Sequence, residues 1–214
     1  MSDSPALPPA LFERADDSPD ASFYVAPRLV AHIDAATIAA LTAYYGEVLA
    51  DADAVLDLMS SWISHLPVLP DLTRVAGLGM NEVELHTNSR LTEYAVHDLN
   101  ADPRLPYDSE SFDAVLNAVS IQYLTRPVEV IAEIARVLRP GGISVVAMSH
   151  RCFPTKAIRA FHVLPREARL ELVSHYHALA GGFETAQCID RSPSGADPLW
   201  IVVARRLEQP SEER

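Results

Sequence analysis

Phe112-Asp113-Ala114-Val115-Leu116-Asn117, then Val128 to Leu138, then Arg139-Pro140-Gly141-Gly142, then Ile143 to Ser149 read in turn as strand, helix, stop and strand. In the middle piece Ile131, Ile134, Ala135 and Leu138 share one helical face, and a proline with paired glycines ends it. Two strands joined by such a crossover lie parallel in one sheet. Working outward, short apolar runs recur upstream at Ala54–Leu58, Arg74–Leu78 and Leu91–Val96, and downstream at Phe183–Ile189 and Leu199–Ala204. Seven such runs predict an α/β domain built on a seven-stranded mixed sheet, mostly parallel, with helices on both faces. Sheets of this kind hold ligands beyond the carboxyl ends of their strands.

On the amino-terminal side Asp34 suits an N-cap, and Ile38, Leu41, Tyr45, Val48 and Leu49 recur at three- and four-residue steps. They predict an amphipathic helix that belongs to an N-terminal helical cover. The division that follows is a flexible arm over residues 1–22, a lid and helix over 23–50, the sheet domain over 51–206 and a flexible tail over 207–214. The arm carries Pro5, Pro8, Pro9 and Pro19 with five Asp or Glu, a composition too poor in apolar surface to order itself.

A length of 214 residues fits one domain of ordinary size. With 29 acidic against 17 basic residues the net charge is -12, the wrong sign for a nucleic-acid partner. Cys152 and Cys188 have neither metal-ligand spacing nor a disulfide framework, which fits a reducing, cytoplasmic location. No apolar run reaches the roughly 18 to 20 residues that a bilayer demands, so no membrane partner is expected. His175 and His177 are two apart and cannot share a helix face, so no metal is expected either. Nothing in the sequence sets the oligomeric state.

Two acids stand at strand ends: Asp57 closes Ala54-Val55-Leu56, and Asp98 follows Tyr94-Ala95-Val96-His97. A carboxylate there sits at the mouth of the sheet, where it can accept from an amine or a ribose, or can cap the next turn. Val55-Leu56-Asp57-Leu58, Val96-His97-Asp98-Leu99, Leu105-Pro106-Tyr107 before Ser111-Phe112-Asp113-Ala114-Val115, and Ile134-Ala135-Arg136-Val137-Leu138-Arg139-Pro140-Gly141-Gly142 occur in that order. Over about Val55 to Arg205 this order resembles the class I S-adenosylmethionine-dependent methyltransferases of the small-molecule type, with a Rossmann-like sheet.

The resemblance implies S-adenosyl-L-methionine as cofactor and a small-molecule substrate. It implies that Asp57 holds the methionine end indirectly, that Asp98 accepts from the adenine amino group and that the backbone of Leu99 reads the adenine ring. The turn Met59-Ser60-Ser61-Trp62 stands where the family carries a glycine-rich turn, and would bind the amino-acid end through hydroxyls and amides. Gly79 stands where the family has an acidic ribose ligand, so Gly79, Met80 and Asn81 border the ribose, with Asn81 or Glu82 as substitutes for that acid. Asn117 and Ala118, leading to Gln122 and Tyr123, would line the passage from sulfonium to substrate.

Two further clusters border this site. Arg28 and His32 are four apart, so on a helical turn they share a face with Tyr24 nearby, either as a lid or as a solvated arm. Arg151 and Lys156 follow the fifth strand and suit an anionic substrate group, or else neutralise an acidic surface. Methyl transfer is an in-line displacement that asks mainly for alignment. If a general base takes part, the candidates are Tyr24, His32, His65, Tyr123 and His150, because they border the expected pocket. The alternative is a protein that keeps the fold without turnover, as a ligand-sensing or partner-binding subunit.

Overall fold

A computed structural model describes residues 7–208. The strands are β1 (Ala54–Leu58), β2 (Arg74–Gly79), β3 (Glu93–Val96), β4 (Phe112–Ala118), β5 (Leu138–Met148), β6 (Gln187–Asp190) and β7 (Trp200–Arg205). The helices are α1 (Asp20–Phe23), α2 (Ala35–Val48), α3 (Glu82–Thr87), α4 (Pro127–Val137), α5 (Ala160–Val163) and α6 (Arg166–Ala180). The sheet order is β3-β2-β1-β4-β5-β7-β6. All pairs from β3 to β5 are parallel, and β7 runs antiparallel to both its neighbours. The expected seven-stranded mixed sheet is present, and its strand order reverses between β1 and β4, the place where open sheets of this type make a crevice.

Side-chain alternation divides the core in two. Leu56, Leu58, Val115, Val146 and Met148 face α4 and α6, whereas Val55, Leu116, Val145 and Ala147 face the side of α2. Leu41, Tyr44, Tyr45 and Leu49 bring α2 onto that second face, and Asp34 caps the helix by accepting from the Thr37 amide at 2.9 Å. Helix α4 buries Val130, Ile131, Ile134 and Val137; of the expected face Ile131 and Ile134 are buried in the helix, Ala135 is half-buried and Leu138 already belongs to β5. No pause separates it from the next strand: Leu138 ends the helix and starts β5, so Arg139-Pro140-Gly141-Gly142 is the irregular first part of a strand.

Residues 7–22 depart from the expected loose arm. Leu7, Leu11 and Phe12 pack on the core, and Arg14 grips Asp20 through both carboxylate oxygens at 2.8 and 2.9 Å. The fully buried Lys156 draws the segment down through Asp16, Asp20 and the Ser18 carbonyl. Composition predicts an arm that cannot order itself; the order comes from a charge supplied more than 130 positions away. Residues 1–6 of the arm and 209–214 of the tail lie outside the described residues. No helix among the described residues is long and apolar enough to cross a membrane.

Candidate active site

Beyond the carboxyl ends of β1, β2 and β4 lies a cleft of about 1040 Å³, its open mouth included. After Leu58 the chain enters residues 59–73 without forming a helix. Met59 takes a left-handed φ of 57°, a conformation that favours glycine. The loop then crosses the end of β2, where the Ser60 amide donates to the Leu78 carbonyl at 2.7 Å. Gly79 is what lets it cross, since a Cβ there would lie 2.2 Å from the Ser60 carbonyl oxygen. Small-residue character has therefore moved from the turn to the strand beneath it. Asn88 Nδ2 fixes the loop from below, donating to the Ser61 carbonyl at 2.8 Å and to Ser64 Oγ at 2.7 Å.

Asp57 is buried at one end of the cleft. The hydroxyls of Ser60 and Ser64 both donate to its Oδ2 at 2.6 Å, and Oδ1 takes no hydrogen bond from the described residues. Burial pushes this carboxyl up to about 6, against the downward pull of the two hydroxyls. Such an oxygen is an acceptor ready for an ammonium or amide. The backbone amides of Ser61 and Ile63 donate to no described residue, so donors lie beside that acceptor.

At the other end Asp98 Oδ1 accepts from the amides of Asn100 and Ala101, at 2.9 and 3.3 Å, and so caps the turn after β3. It also lines the cleft, as does Leu99, whose amide donates to no described residue. The capping and ligand readings of Asp98 are thus compatible. Between these ends Asn81 caps α3 through Oδ1 and donates from Nδ2 to the Tyr24 and Val25 carbonyls, so its side chain is committed to protein. Glu82 does not line the cleft; Glu84, two residues further along, does. Its carboxylate accepts from the Arg28 amide at 2.7 Å and from Ser61 Oγ at 2.5 Å.

The cover over the cleft is largely irregular. Only Asp20–Phe23 is helical, and Arg28 and His32 reach the cleft from extended chain rather than from one helical face. They converge on Phe153: the Arg28 guanidinium lies 5.3 Å and the His32 ring 5.4 Å from its centroid. Tyr123 stacks on the same ring at 5.8 Å, and its hydroxyl accepts from the Phe153 amide at 2.8 Å. Burial lowers the His32 imidazole, and it takes His65 down to about 4 with help from His32. Burial thus favours the neutral form of both rings. Burial pushes Tyr123 up to about 12 and raises Tyr24 further, so both phenols stay protonated.

Of the expected site residues, Asp57, Met59, Ser60, Ser61, Gly79 and Met80 line the cleft, as do Asn81, Asp98, Leu99 and Ala118. Tyr24, Arg28, His32, His65 and Tyr123 line it too. Six do not. Trp62 turns away and donates from Nε1 to the Val30 carbonyl at 3.0 Å, leaving the hollow open. Asn117 is buried with neither side-chain atom partnered, and Gln122 is buried against the Val119 carbonyl. His150 and Arg151 lie at 3.4 and 3.0 Å from Asp197, and Lys156 is enclosed by Asp16 and Asp20. Except at Asn117, a nearby protein carboxylate or carbonyl takes the polar group that spacing alone assigns to a ligand. Sequence reasoning missed Glu84 and the cleft-lining role of Phe153. The Asn81-to-Glu84 spacing of a helix cap marks the first, whereas nothing local marks the second.

Residues 64–146 match the methyltransferase-domain family model. No curated protein matches the chain. Among solved structures, the [4+2]-cyclase SpnF is 19% identical, with 79% of this chain and 81% of that chain covered and a TM-score of 0.60. An S-adenosylmethionine-dependent methyltransferase from Mesorhizobium loti is 16% identical, with 81% and 99% covered and a TM-score of 0.55. Geranyl diphosphate C-methyltransferase from Streptomyces coelicolor, in complex with S-adenosyl-L-homocysteine, is 13% identical, with 79% and 77% covered and a TM-score of 0.52. The chain therefore has the class I S-adenosylmethionine-dependent methyltransferase fold and, over residues 64–146, matches the methyltransferase-domain family.

Proposed function

We propose that the cleft binds S-adenosyl-L-methionine and that the protein transfers its methyl group to a small molecule. One observation carries this reading: the unpaired Asp57 Oδ1 at one end of the cleft and the free Leu99 amide beside Asp98 at the other. An acceptor with flanking amides suits the amino-acid end, and an acceptor with an adjacent donor suits the edge of adenine. Glu84 lines the cleft beside Asn81 and, because a carboxylate oxygen can accept a second hydrogen bond, would be the acid to meet the ribose hydroxyls where the strand-end acid is missing. The cofactor supplies an electrophilic methyl group when bound. The chain's own part is to orient it, to exclude water with the cover formed by Tyr24, Arg28 and His32, and to receive a proton at His32 if the acceptor loses one.

Titration with S-adenosylhomocysteine tests the reading. The wild type binds, and Asp98→Asn, which keeps the turn acceptor but loses the charge, weakens binding by about 1 to 3 kcal/mol. Absence of binding to the wild type rules the reading out. The competing function, ligand sensing without turnover, is favoured by the absent glycine-rich turn and by Asn81 being committed to the cover. Cofactor that binds but is never converted to S-adenosylhomocysteine across a panel of acceptors favours that second function.

A further inference from the structure

Arg28 is the only arginine or lysine among the described residues that lines the cleft. Its guanidinium donates to two backbone carbonyls, Nη1 to Ala26 at 3.3 Å and Nη2 to Phe23 at 2.9 Å. It forms no ion pair with a described carboxylate. The neighbouring cations are different: Arg14 and Lys156 share Asp20, and Arg151 holds Asp197. Three aromatic rings lie under the Arg28 guanidinium, Phe23 at 4.4 Å, Phe153 at 5.3 Å and Tyr24 at 5.7 Å. Stacking fixes its plane and strips water from its faces, and the N–H donors not given to Ala26 and Phe23 remain for a ligand.

The acids of the cleft do not cancel this charge. Asp57 and Asp98 belong to the two ends assigned to the cofactor, Asp20 is held by Arg14 and Lys156, and Glu84 meets the Arg28 amide and Ser61. A single planar cation with open edges matches a carboxylate in charge and geometry. A dianionic phosphate would bring a second negative charge beside Glu84. Beside Arg28 the cleft wall carries the Phe153 ring, with Tyr123 stacked on it and the neutral-leaning His32 ring against its edge.

We infer that the small-molecule substrate bears a carboxylate, received by Arg28, on an apolar body laid against Phe153 and Tyr123. This rests on the proposed methyltransferase reading. The inference keeps an anionic substrate group but assigns its receiver to the cover and not to the segment after β5, where Arg151 and Lys156 are held by protein carboxylates.

The test is calorimetric titration of the S-adenosylhomocysteine-loaded protein with 4-hydroxybenzoate and octanoate, against their neutral amides, tyramine and 4-hydroxyphenyl phosphate. At least one carboxylate binds, roughly 10- to 100-fold more tightly than its amide, the factor a hydrogen bond to a charged group supplies. Arg28→Gln removes that ratio while still binding S-adenosylhomocysteine, which shows it is folded, and Arg28→Lys keeps part of it. The inference is overturned if neither carboxylate binds, if an amide, tyramine or the phosphate ester binds as well, or if the ratio survives Arg28→Gln. Failure of the wild type to bind S-adenosylhomocysteine is a separate result and removes the parent reading instead.

Discussion

The Ser60 carbonyl oxygen occupies the space in which a side chain on residue 79 would begin, 2.2 Å from the built Cβ position. Gly79 thus joins the loop after β1 to the end of β2, and Gly79→Ala must push the two backbones apart. We expect a loss of about 1 to 3 kcal/mol in stability, the usual cost of overpacking, together with weaker binding of S-adenosylhomocysteine. Urea denaturation and calorimetry measure the two effects. An alanine variant with wild-type values for both would show that the crossing is not tight.

Asp57 gives a pH dependence with a definite sign. Its carboxyl titrates near 6 when folded, against 3.8 for the free group. The folded state therefore holds the proton more tightly, and this contribution to stability is present below pH 4 and lost as pH rises through 6. The difference in unfolding free energy between wild type and Asp57→Asn should change by up to about 3 kcal/mol between pH 4 and 8, from about 2 units at 1.4 kcal/mol each. Cofactor binding has the opposite trend, because an ammonium group selects the carboxylate. Affinity of the wild type for S-adenosylmethionine should climb by at most tenfold per unit up to about pH 6 and then level off, with no such climb in Asp57→Asn.

Lys156 and Asp20 form a buried pair 3.1 Å apart, with Arg14 on the other side of the same carboxylate. Lys156→Met removes one of two cations and leaves Asp20 with Arg14 and Asn100. Breaking a buried pair from one side costs about 3 kcal/mol at the low end of the usual range, and Arg14 places this case there. Proteolysis within residues 7–22 should accelerate in parallel. Unchanged stability and unchanged cleavage would separate Lys156 from the docking of the segment.

Trp62 stands in the cofactor turn by sequence yet faces Val30 in the fold. Trp62→Phe should leave the affinity for S-adenosylhomocysteine within about twofold, since only one hydrogen bond outside the cleft is lost, worth about 1 kcal/mol to stability. A tenfold loss of affinity would return Trp62 to the site.

Much of this was legible in the chain. Short runs rich in apolar residues, the one-sided helix after β4 and the acids Asp57 and Asp98 at two strand ends are local signals, and they fix the sheet and the two poles of the cleft. What escaped was long-range. Whether Lys156 or Arg28 is the free cation depends on which carboxylates the fold brings near each one, and Asp16 and Asp20 lie some 140 positions from Lys156. Spacing likewise cannot tell that Arg28 and His32 meet through Phe153, a residue of a different loop, and not through a helix of their own.

The missing helix after β1 changes how this wall of the molecule is held. Residues 59–73 have no internal ladder, and they are pinned at separate points by Asn88, by Thr42 on the His65 carbonyl and by Arg90 on that of Pro67. Each pin is a single side chain, so the wall can loosen piecemeal while the sheet stays intact. Amide deuterium uptake from Ser61 to His65 should run far ahead of that in β1, and the same stretch is where sequence drift would reshape ligand choice at least cost to the rest of the fold.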